Sequence, residues 1–99
     1  MDEVYTLGVW QVKDGNQNEF VEAWERLGRY FRTLSHPPGK GTLLQSLDDP
    51  SRFYSFGPWR SIDDIEDMRN HPDTPKEIGK LMNLCDEGRP GVFRVVATA

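Results

Sequence analysis

The sequence predicts an α+β domain in which β-rich runs and amphipathic helical runs alternate. Three observations lead there. Val4 to Val12 and Arg52 to Trp59 are rich in β-formers, and each is followed by a capped helical pattern. Phe20, Trp24, Leu27, Phe31 and Leu34 recur at helical spacing. Apolar residues stand on both parities of the strands, which predicts a sheet covered on both faces.

The elements follow in order. Val4-Tyr-Thr-Leu-Gly-Val-Trp-Gln-Val12 places Tyr5, Leu7 and Val9 on one face and Val4, Trp10 and Val12 on the other. Asp14-Gly15 is a turn signal. Asn16 with Glu19 three residues later has the form of a capping box. The helix that follows carries the apolar stripe, widened by Val21, Ala23 and Tyr30. Its other face carries the favourably ordered pairs Glu22–Arg26 and Glu25–Arg29. Ser35 to Gly41, with Pro37, Pro38 and Gly39, ends it. Thr42 to Leu47 is a second strand, Asp48 to Ser51 a hairpin turn, and Arg52 to Trp59 the third strand. That strand is aromatic on both parities, with Phe53 and Trp59 on one side and Tyr54 and Phe56 on the other. Ser61 and Asp64 suggest a second capping box, with Ile62, Ile65 and Met68 turned inward. Asn70-His71-Pro72 breaks this helix. Thr74-Pro75-Lys76-Glu77 starts its second half, with Ile78, Leu81, Met82 and Cys85 as the stripe. Asp86 to Gly91 reads as a loop and Val92 to Ala97 as the last strand. The order is β-α-β-β-α-β, a ferredoxin-like arrangement with an antiparallel sheet and a second helix broken in two. Its helices cover one sheet face, and another copy of the same sheet is the simplest cover for the other.

The bulk properties narrow the function. Ninety-nine residues predict one domain, spanning 1–99. A net charge of −4 without a basic block argues against nucleic acid as a partner. No apolar run is long enough for a spanning helix, which argues against a membrane partner. The start Met1-Asp2-Glu3 shows no leader pattern, and the lone Cys85 has no disulfide partner, so a cytoplasmic location is expected. Cys85 reads as a small buried apolar residue, since no histidine lies near it in sequence. The absence of a His/carboxylate cluster in the sequence predicts no metal site. Gly39-Lys40-Gly41-Thr42 lacks the upstream glycine and the Ser/Thr of a phosphate loop, and is a turn.

The order of these pieces resembles the antibiotic biosynthesis monooxygenase superfamily. The resemblance covers Val4 to Val96. It rests on the first strand leading to Asp14-Gly15, then Glu19-Phe20-Val21-Glu22-Ala23-Trp24, Pro38-Gly39, Leu43-Leu44-Gln45-Ser46, Asp49-Pro50-Ser51-Arg52-Phe53, and Trp59-Arg60-Ser61 before an acidic helix start. It implies a dimeric α+β barrel with a pocket between helices and sheet. Some relatives oxidise aromatic polyketides or quinols with dioxygen and no cofactor. Others degrade haem, using an Asn, a Trp and a His. The corresponding places here are near Gly8, near Met68, and in a helix from Thr74 to Cys85 without histidine, so haem degradation is not expected.

The expected activity is therefore cofactor-free monooxygenation of a small aromatic or quinol-like substrate, with no metal, flavin or haem. A non-catalytic ligand-binding or stress-response domain and a structural dimerisation module are the alternatives. The expected partners are a second copy, through the sheet faces, and a small aromatic ligand. His71 and Tyr54 are the candidate catalytic residues, because the helix break and the third strand flank the same space in this topology. Trp10, Trp59, Met68 and Arg69 are the candidate substrate-binding residues. His36 and His71 each stand at a helix end beside proline, where a capping or surface role is the competing explanation. Asp63, Asp64, Glu66 and Asp67 read as a solvated helix face.

Overall fold

The computed structural model describes residues 3–99, so the Met1-Asp2 start lies outside the described residues. Four strands form one antiparallel sheet: β1 (Val4–Val12), β2 (Thr42–Gln45), β3 (Arg52–Trp59) and β4 (Cys85–Arg94). Three helices join them: α1 (Gln17–Arg32), α2 (Ile62–Asn70) and α3 (Thr74–Met82). The strand order is β2-β3-β1-β4, which is the ferredoxin-like α+β arrangement. The least dimension of the molecule is 18 Å, enough for one helix layer on one sheet. Among the described residues no helix is long and apolar enough to cross a membrane.

Period-two alternation sorts the sheet into two faces. Val4, Gly8, Trp10 and Val12 of β1 and Phe53, Ser55, Gly57 and Trp59 of β3 are all buried under the helices. Phe20, Ala23 and Leu27 of α1 and Leu81 of α3 close one core with Trp10, Val12 and Phe53. Val4, Trp59, Ile65 and Met68 form a second. The opposite face carries Tyr5, Leu7, Val9, Tyr54, Phe56 and Pro58, with Tyr5 beside Phe93 and Leu44 beside Tyr54. Among the described residues nothing covers it. Leu44 is 50% and Phe93 53% exposed. The two-parity apolar pattern thus corresponds to a face left bare by the single chain.

Several expected boundaries move. β4 spans Cys85–Arg94, through residues expected as a loop and short of the expected end at Ala97. The long β1 supplies its partner, with Tyr5↔Phe93 through Trp10↔Gly88 in register. Pro90 is tolerated because β4 is an edge strand. Cys85 consequently belongs to the sheet, not to the α3 stripe, and Met82 is 39% exposed. β2 ends at Gln45 rather than Leu47, where Leu47 is fully in solvent.

Caps also differ. Asn16 makes no side-chain capping bond, and Gly15 N–H instead donates to Gln17 Oε1. Ser61 does cap α2, accepting from Asp64 N–H at 3.2 Å. Asp64 does not complete the box. Its carboxylate accepts two bonds from Arg60, at 2.9 and 3.0 Å. Thr74 lies inside α3, after the cap residue Asp73, and its hydroxyl donates to the Met68 carbonyl at 2.6 Å. That bond ties α3 to the end of α2 across the Asn70-His71-Pro72 break.

Candidate functional site

A cavity of about 610 Å³ lies between the helix layer and the sheet. Gly8 and Gly57 line it from the sheet, each closely covered: a Cβ on Gly57 would stand 3.3 Å from Gly41 Cα. A Cβ on Gly8 would stand 2.6 Å from Trp10 Nε1, and one on Gly88 2.8 Å from Trp10 Cε3. The Trp10 indole therefore lies spread across β1 and β4 over two glycines. Gly28 of α1 is the uncovered position. It lines the cavity, and a Cβ there meets no atom within 4 Å.

Three indoles wall the cavity: Trp10, Trp24 and Trp59. Two are pinned by hydrogen bonds across neighbouring strands. Trp10 Nε1 donates to Ser55 Oγ, and Trp59 Nε1 donates to Thr6 Oγ1, both at 2.9 Å. Each uses the indole's single donor, leaving the ring faces for apolar contact. Phe31 meets Trp59 edge-on, with centroids 5.4 Å apart. Trp24, expected as core, is only partly buried and reaches toward the loop at Gly41. Met68 and Ile78 add to the apolar lining, and Glu25, Arg29, Arg32, Lys40 and Arg69 supply charge.

Four of the six sequence-predicted site residues therefore converge on one cavity: Trp10, Trp59, Met68 and Arg69. The other two stand elsewhere. Tyr54 pairs with Val9 and has the wrong parity, so its side chain projects from the open face and is 38% exposed. His71 adopts an extended conformation at the end of α2, with φ −68° and ψ 132°, as a residue before proline does. Its Nδ1 lies 3.0 Å from the Tyr30 hydroxyl and accepts from Asp73 N–H at 3.2 Å. Tyr30 in turn lies 2.7 Å from Thr74 Oγ1. His71 is thus a link between α1 and the α2–α3 junction rather than a cavity wall. The sequence reading missed Thr6, Ser55 and Gly28. A polar residue on a helix-facing strand position near a tryptophan was the available signal for Thr6 and Ser55.

Other reactive groups fall outside the cavity. Burial, with the Asp86 charge adding to it, pushes the Cys85 thiol up to about 11, so it stays protonated at neutral pH and is a poor nucleophile. The fold does bring a His/carboxylate cluster together, which the sequence did not predict. Donor atoms of His36, Asp64 and Asp67 lie within 4.8 Å of one another. His36 Nδ1 is 3.8 Å from Asp64 Oδ1. Asp64 is already held by the Arg60 guanidinium, so ion pairing accounts for this corner. The expected pairs Glu22–Arg26 and Glu25–Arg29 are not among the ion pairs formed, and Glu25 and Arg29 line the cavity instead.

Comparison with known proteins agrees with this architecture. SnoaB, a cofactor-independent oxygenase from Streptomyces nogalater, superposes with a TM-score of 0.87 at 21% identity, over 99% of this chain and 97% of that one. A Bordetella bronchiseptica protein named for the antibiotic biosynthesis monooxygenases superposes with a TM-score of 0.82 at 16% identity, over the whole of both chains. A conserved protein from Methanosarcina mazei gives a TM-score of 0.79 at 15% identity, over 94% of this chain and 92% of that one. At such identities the likeness is one of fold. No curated protein matches the sequence significantly. The sequence model of the family described as antibiotic biosynthesis monooxygenase matches residues 4–75, a span that runs from β1 through α2 and carries most of the cavity wall. With that match over most of its length, the chain belongs to the antibiotic biosynthesis monooxygenase family.

Proposed function

We propose that the protein is a cofactor-independent monooxygenase that oxidises a small aromatic or quinol-like molecule with dioxygen. One observation carries this reading: a preformed cavity of about 610 Å³ walled by three indoles. Its size falls in the range of small-molecule sites, and flat aromatic walls suit a flat ligand. The same cavity counts against a purely structural module, whose interior would be packed solid.

The chemistry needs little from the protein. In an anthrone-type substrate a CH₂ group becomes C=O, and the second oxygen atom of O₂ leaves as water. The substrate supplies all four electrons, so no external reductant enters. Deprotonation gives a delocalised carbanion that reacts with oxygen. The chain's part is to orient the ring, exclude water and stabilise negative charge. Among the described residues Glu25 is the one carboxylate lining the cavity, and it takes the role of base. His71 and Tyr54 have no direct part in this scheme. A homodimer through the open sheet faces and a cytoplasmic location complete the proposal.

Oxygen uptake with a panel of anthrone- and quinol-type substrates tests it. Turnover is expected in wild type, with Glu25→Gln slowed by about 10²-fold or more, as for loss of a general base. Tyr54→Phe and His71→Ala should keep the turnover of whatever folded fraction remains. Tight binding of such molecules without oxygen uptake would favour the ligand-binding alternative.

A further inference from the structure

The charge around the cavity is not that of the molecule. The chain carries 12 Lys and Arg against 16 Asp and Glu. Arg29, Arg32, Lys40 and Arg69 line the cavity, while among the described residues Glu25 is the single acid there. A third of the chain's cations, against one described acid, therefore line one cavity. They come from three separate segments: the last turn of α1, the loop before β2, and the last turn of α2. The helix dipoles favour a cation at Arg29, Arg32 and Arg69, but Lys40 belongs to no helix, and the dipole does not choose the cavity side. Among the described residues no ion pair engages Arg29, Arg32 or Lys40. Arg69 reaches Glu66 at 3.5 Å between two half-exposed side chains, a contact of little strength. These cations are available to a ligand.

From this we infer that the cavity selects an anionic ligand, a planar aromatic body bearing a carboxylate, with the rings among the indoles and the carboxylate held at the rim by Arg29, Arg32 and Arg69. Guanidinium groups match a carboxylate in shape as well as charge. The inference rests on the cavity being the ligand site, as proposed above, and adds the charge of the ligand.

Calorimetric titration of the full chain with a matched pair, anthraquinone carboxylate and anthraquinone methanol, separates the two ideas. The carboxylate should bind tighter by about tenfold or more, a gap of about 1.4 kcal/mol. Raising salt from about 50 mM to about 500 mM should narrow that gap, because rim charges are screened. Arg29→Gln/Arg32→Gln and Arg69→Gln should weaken the carboxylate alone. Unchanged binding of the neutral partner shows that these variants fold. Equal affinity for the two molecules, or equal loss of both in the variants, would overturn the charge selection and leave the cavity reading standing. Binding of neither molecule to wild type would overturn both.

Discussion

Single residues decide what the cavity offers. Trp10 and Trp59 are held by one hydroxyl each, Ser55 and Thr6. Ser55→Ala leaves the Trp10 N–H, in a residue only 3% exposed, without its partner. The expected cost is about 1–3 kcal/mol, or roughly 5–20 °C in melting temperature for a domain this small. Thermal denaturation checks it, and a melting point unchanged from wild type would show that the indole finds another acceptor. The residue scale is also where the sequence was least legible. Trp10, Trp59, Met68 and Arg69 could be placed at one cavity because aromatic strand ends and the end of α2 border the same space. Tyr54 was misread because strand parity, fixed only by the register Tyr54↔Val9, sends it to the opposite face. His71 was misread because position beside a break says nothing about ring direction, and Tyr30, 41 residues away, sets that direction.

Elements were far more legible, and their exceptions share a cause. α1 announced itself by its apolar stripe, and α2 by Ser61. The first part of β4 was hidden because Gly88, Pro90 and Gly91 are turn residues in isolation. Pairing with β1 overrides that local preference. Gly28 is the converse case, a glycine kept in the interior of a sixteen-residue helix. Glycine there costs about 0.8–1 kcal/mol relative to alanine, and no neighbour requires its small size. Gly28→Ala should therefore raise stability by about that amount, measurable by denaturant titration. Gly28→Leu should keep the fold yet fill the cavity and block an aromatic ligand. If Gly28→Leu binds as well as wild type, the cavity is not the binding site.

At the scale of the whole molecule, the open face is where the proposed dimer would form. Leu7 and Phe56 are adjacent across β1 and β3, with Tyr5, Val9 and Tyr54 beside them. Such a contiguous apolar surface is what a second copy buries. Leu7→Asp places a charge on that face in both copies at once, and sedimentation should then show monomer where wild type shows dimer. A monomeric wild type at micromolar concentration would remove the interface. The same face has a second side. Leu7 and Phe56 flank Gly8 and Gly57, and they count among the residues lining the cavity, so the strands that carry the open face also border the cavity. In the proposed dimer, ligand and partner subunit would press on opposite sides of one sheet, which would link their binding free energies. A ligand that stiffens this sheet lowers the dimer dissociation constant, and by thermodynamic reciprocity dilution to monomer weakens ligand affinity by the same factor. Dimer dissociation measured with and without ligand, and ligand affinity measured above and below the dissociation concentration, should return one coupling constant. A factor of one from both would mean that the two sides of the sheet act independently.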